Sequence, residues 1–137
     1  MRRMSVLIGV CMIAAMVITL YAQQRDIQPI MREVQPAFGS MTKGLGAGTA
    51  DTVAADATKL QGLFREVAAW MKTQKADKAA GWATDDANLA GEVAKAAKAN
   101  DMAAAKAAGD KIKASCKACH DVHREQLPDK SFKFKAP

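Results

Sequence analysis

Residues 51–72 read DTVAADATKLQGLFREVAAWMK. Within them Val53, Ala57, Leu60, Phe64, Val67 and Met71 recur at alternating steps of four and three. That is the heptad-like apolar stripe of a helix packed in a bundle. Asp51 stands where a helix cap is expected. Working outward, no stretch of the chain alternates with period two, so no strand is expected. Half of the 137 residues are apolar but only 5% are aromatic. The second half is dominated by Ala, the strongest helix former, which favours helix over sheet.

Three further helices follow from the same reading. Upstream, Ile27, Ile30, Met31, Val34, Phe38 and Met41 fall at helical spacing, from about Ile27 to Lys43. Asp26 can cap this helix, and Pro29 suits its first turn. Pro36 is expected to kink it, and the Gly-rich stretch from Gly44 to Gly48 to stop it. Those glycines follow a helix rather than a strand, so they read as a turn and not as a phosphate loop. Downstream, Lys72 to Thr84 is a polar connection anchored by Trp82. A third helix starts near Thr84 or Asp85 and carries Leu89, Val93, Ala96 and Ala97. Asn100 and Asp101 make a turn and a cap. The fourth helix runs from about Met102 past His120, with Met102, Ala105, Gly109, Ile112, Cys116 and Cys119 on one face. Four amphipathic helices with short loops bury their stripes as an all-α, antiparallel four-helix bundle. The stripes of the last two helices are mostly Ala, which leaves either very close helix contact or space for something large.

The amino terminus reads as an address. Met1 to Arg3 are positively charged at Arg2 and Arg3, Ser5 to Leu20 are apolar, and Ala22 offers a cleavage point. Residues 1–22 are therefore expected to be a secretory signal peptide, placing the domain (23–130, with a tail at 131–137) in the periplasm. The alternative is an uncleaved anchor, for which the 16 uncharged residues from Ser5 to Leu20 are short of the roughly 20 that span a bilayer. Lipidation at Cys11 is disfavoured by the bulky Val10 before it. The full chain carries a net charge of +6. Its basic and acidic residues are interspersed, which is not the clustered pattern of a nucleic-acid footprint. No nucleophile–base pair or acid cluster points to an enzyme.

Without residues 1–22 two cysteines remain, in Cys116-Lys117-Ala118-Cys119-His120. Cys-x-x-Cys-His is the attachment sequence for haem c. Residues three apart share a helix face. Cys116 and Cys119 can thus add to the two vinyl groups on a haem edge, while His120 supplies an axial iron ligand. A thioredoxin-like dithiol would want the pair at a helix N-terminus. A zinc site of Cys116, Cys119, His120 and His123 would draw every ligand from one helix, against the usual two segments. A disulfide would close a very small loop and constrain little unfolded chain.

With this motif near its C-terminus, the chain resembles the class II c-type cytochromes, the cytochrome c′ and cytochrome c556 group. The likeness covers roughly residues 25–126. Leu89 to Glu125 are similar to the last two family helices, and Trp82 to a Trp entering the third. Arg124 matches the family, whereas His123 replaces an aromatic residue. The resemblance implies that the first helix covers the open face of the haem. A Met there makes a six-coordinate, low-spin electron carrier; a Leu, or a Met that does not bind, leaves a five-coordinate iron that takes NO or CO. Ile30 to Val34 resemble the distal stretch and put Met31 at the ligand position, with Met41 a second candidate. Both would otherwise be core side chains, and Ile27 and Ile30 an apolar wall. Arg124 either contacts a propionate or is solvated. His123 either hydrogen-bonds a propionate or opens a route to solvent, but reads better as a surface residue. The expected function is single-electron transfer with a redox protein partner, acidic if scattered lysines steer it. A homodimer is common in the family. The tail Ser131 to Lys135 touches a partner or membrane, packs on the bundle, or frays.

Overall fold

The computed structural model describes residues 26–135. The signal-peptide reading of residues 1–22 lies outside them. Among the described residues four helices form: α1 (Ile27–Ala47), α2 (Ala50–Thr73), α3 (Asp77–Lys98) and α4 (Met102–His123). They are followed by two short strands, β1 (Arg124–Gln126) and β2 (Phe132–Phe134). No helix among the described residues is long and apolar enough to cross a membrane.

α1 begins as expected, with the Asp26 carboxylate accepting from the Ile27 N–H at 2.7 Å. Pro36 does not interrupt it. The proline is exposed, so the carbonyl one turn earlier that loses its partner can turn to water. The helix also runs past Gly44 to Ala47, because Gly44 is buried against α2 rather than placed in a turn. Gly48 ends it, with φ +71 and its N–H returned to the Gly44 carbonyl, a left-handed cap that glycine adopts without steric cost.

In α2 the stripe holds, since Val53, Ala57, Leu60, Phe64, Val67 and Met71 are all buried. Asp51 is not its cap. The helix starts at Ala50 after Thr49, and Asp51 lies in the first turn, where its charge still suits the positive end of the helix dipole. α3 starts at Asp77, well before Thr84, so the supposed polar connection is helical and Trp82 lies inside it. The reason is packing. Ala79, Ala80 and Ala83 are buried and extend the stripe of Ala87, Ala90, Val93 and Ala97 backwards by two turns. α4 is capped by Asp101, whose carboxylate accepts from the Ala104 N–H at 3.0 Å.

The two strands correct the expectation of none. They pair antiparallel, with Arg124 opposite Phe134 and Gln126 opposite Phe132. The reversal is made by Asp129, which accepts from the Ser131 N–H (2.9 Å) and hydroxyl (2.6 Å), and by Lys130 at φ +66. Three residues per strand are too few for a period to register in sequence.

Each helix packs on its neighbour in the chain, α2 with α3 most extensively, whereas α1 and α4 barely touch. The bundle is therefore tight along α1–α2–α3–α4 and open where the first helix should meet the last.

Candidate cofactor cavity

The opening between α1 and α4 holds a cavity of about 410 Å³, partly open to solvent. α1 lines it with Ile27, Met31, Val34 and Phe38, α2 with Met71, and α4 with Cys116, Cys119, His120 and His123. Arg124 and the aromatic rings of Phe132 and Phe134 complete the wall. The sequence-derived candidates Met31, Cys116, Cys119, His120 and Arg124 thus all border one space. Met41 does not: it is fully buried in the core, facing Gly109. Ile27 borders the cavity, while Ile30 turns into the core at 1% exposure.

Cys116 and Cys119 are free thiols, each half-buried. Burial, reinforced by the Asp86 carboxylate and the second thiol, pushes Cys116 up to about 12. Cys119 is raised by burial and by Asp86. Both stay protonated at neutral pH, unlike the low-pKa thiolates of dithiol catalysts. Burial and then the Arg124 charge lower His120, against a smaller opposing pull from Asp121. Its imidazole is neutral and keeps a lone pair, as an iron ligand must. Among the described residues no three His, Cys, Asp or Glu side chains are grouped to hold a metal ion. The four-ligand zinc arrangement is not formed.

His123 is a correction. It reads as a surface histidine in sequence, yet it is 6% exposed. Its ring stacks on Phe134 at 5.5 Å between centroids and meets Trp82 edge-on at 6.1 Å. Phe134 in turn meets Trp70 edge-on at 5.0 Å. The tail therefore packs on the bundle, and the Gln28 side-chain amide ties it to α1 by donating to the Phe132 carbonyl at 2.6 Å. Arg124 lies over the Phe132 ring at 4.3 Å. The sequence signal was present but short: Phe132-Lys133-Phe134 alternates, and His123 lies three residues past His120 on the same helix face.

Asp86 was also missed. It is 4% exposed beside Ser115 and the Cys116 thiol. Ala79, Ala83, Asp86, Ala90, Val93 and Ala97 step by fours and threes, so the stripe itself carries this carboxylate inward.

No family model matches the chain, and neither the curated proteins nor the solved structures yield a match.

Proposed function

We propose that the protein is an exported c-type cytochrome of the class II kind that carries single electrons. The observation that carries this reading is the convergence of two thiols and a neutral imidazole from one stretch of α4 on an apolar cavity that Met31 borders from α1. The cavity lies within the roughly 300–1,000 Å³ range of cofactor pockets. Its apolar walls and protonated thiols fit a porphyrin better than a hydrated ion. Cys116 and Cys119 would hold the haem by two thioethers, His120 would be the proximal ligand and Met31 the distal one. When bound, haem supplies a one-electron ferric–ferrous couple whose potential follows axial ligation and burial. Ile27, Val34, Phe38 and Met71 exclude water from the ring. Arg32, Arg124 and Lys133 border the opening and suit an acidic redox partner.

The apolar wall that Ile27, Val34 and Phe38 share with Met31 supports a second reading, a five-coordinate binder of NO or CO. The reduced absorption spectrum with and without CO separates the two. A low-spin spectrum indifferent to CO is expected, and Met31→Leu should convert it to a high-spin form that takes up CO. A wild-type spectrum already high-spin would remove Met31 as a ligand. Protein matured in a periplasm and lacking the mass of one covalent haem would overturn both readings.

A further inference from the structure

The Nε2 atom of His123 is buried and has no hydrogen-bond partner among the described residues. Its other nitrogen is committed: Nδ1 lies 3.1 Å from the Lys135 carbonyl oxygen. A carbonyl can only accept, so Nδ1 carries a hydrogen. The Lys135 N–H returns the contact by donating to the His123 carbonyl at 2.8 Å. The ring is thereby fixed by one hydrogen bond to the Lys135 carbonyl and by its stack on Phe134. The backbone bond holds Lys135 beside it, and its one unused nitrogen belongs to a residue that borders the cavity. A buried nitrogen without a partner is costly, and such groups in native proteins normally meet a ligand or water.

The surroundings specify the ligand's sign. Among the described residues none that borders the cavity is Asp or Glu, whereas Arg32, Arg124 and Lys133 are cationic, Lys133 being paired with Glu125 at 3.4 Å. We propose that His123 Nε2 is a carboxylate-binding point, which, on the haem reading above, holds a propionate of the porphyrin. With its hydrogen on Nδ1, the neutral ring offers Nε2 only as an acceptor. Binding a carboxylate therefore takes up one proton from solvent, and that proton is held between Nε2 and the carboxylate oxygen in a charge-assisted hydrogen bond. No bond other than this hydrogen bond forms. His123 is a positioning residue: it anchors the ring's orientation and ties it to the β1–β2 hairpin.

The test uses the full chain prepared without haem, titrated with mesoporphyrin IX and with its dimethyl ester, and followed by porphyrin fluorescence. Mesoporphyrin lacks vinyl groups, so no thioether forms, and without iron no axial bond contributes. The wild-type chain should bind the free acid about tenfold or more tighter than the diester, the discrimination of a charged hydrogen bond. His123→Phe keeps an aromatic ring against Phe134 and should lose most of that ratio. His123→Gln, with an amide N–H in place of the imidazole, should keep part of it and serves if the Phe variant does not fold. Equal binding of acid and ester by wild type, or an unchanged ratio in His123→Phe, overturns the proposal while leaving a covalent haem detected by mass untouched. If neither porphyrin binds and the matured protein carries no haem, the haem reading and this proposal fall together.

Discussion

Asp86 is the most consequential side chain whose role its own identity does not reveal. A carboxylate usually marks the wet face of a helix, yet this one occupies a core step of α3, with Oδ1 unpaired among the described residues. Burial pushes its carboxyl from 3.8 up to about 6; Asp85 adds to the rise and Ser115 opposes it. The native state therefore binds more protons than the unfolded chain between about pH 4 and pH 6. By linkage, stability falls as pH rises through that window, and the penalty is complete above it. Discounted for solvent screening, the penalty is about 1–2 kcal/mol. Asp86→Asn should raise the urea midpoint at pH 7 and flatten its fall between pH 4 and 6. A variant whose pH profile parallels wild type would show that Asp86 is not the titrating group. His123 and Asp86 hid for one reason: a polar side chain is read outward until its neighbours are known.

The helices themselves were legible wherever large apolar residues set the period. α2 was read almost to its ends, because Val53, Leu60, Phe64 and Met71 leave no doubt about its buried face. The start of α3 is hidden in the sequence, because a face made of alanine hardly differs from its exposed side until α2 packs against it. Gly44 hides its role in the same way, because its burial against α2 shows only in the packed structure. A Cβ there would stand 2.9 Å from Val53 Cγ2 and 3.0 Å from Thr49 Oγ1. Val53 is fully buried and β-branched, so it cannot turn aside. Gly44→Ala should destabilise by about 1–2 kcal/mol, overpacking outweighing the gain in helix propensity. Gly62, inside α2, is exposed and would place a Cβ in open space. Gly62→Ala should stabilise by up to about 1 kcal/mol. Chemical denaturation of the pair checks both signs, and stabilisation by Gly44→Ala would mean that the α1–α2 contact is looser than described.

Across the molecule, α1 and α4 meet directly where Leu45 and Met41 approach Gly109, part around the cavity, and are linked again through the C-terminal hairpin. Phe134 sits between Trp70 of α2 and His123 of α4, while the Phe132 carbonyl receives the Gln28 amide of α1. Three helices thus share one short strand. Phe134→Ala should cost about 1–3 kcal/mol, below the full-core value because the ring is only half-buried. It should also speed labelling of Cys116 and Cys119 by a thiol reagent several-fold in the haem-free chain. Unaltered labelling would show that the hairpin does not restrict entry to the cavity.

Local pattern was enough to establish four helices and the one-turn grouping of Cys116, Cys119 and His120, because spacing along a helix converts directly into a shared face. Only the tertiary structure decided that α1 and α4 part around a cavity, that Met31 borders the space between them while Met41 does not, and that His123 is enclosed by a hairpin. Those outcomes depend on contacts between residues up to 104 positions apart, as at Gln28 and Phe132. No period within one element records which distant surface will cover it.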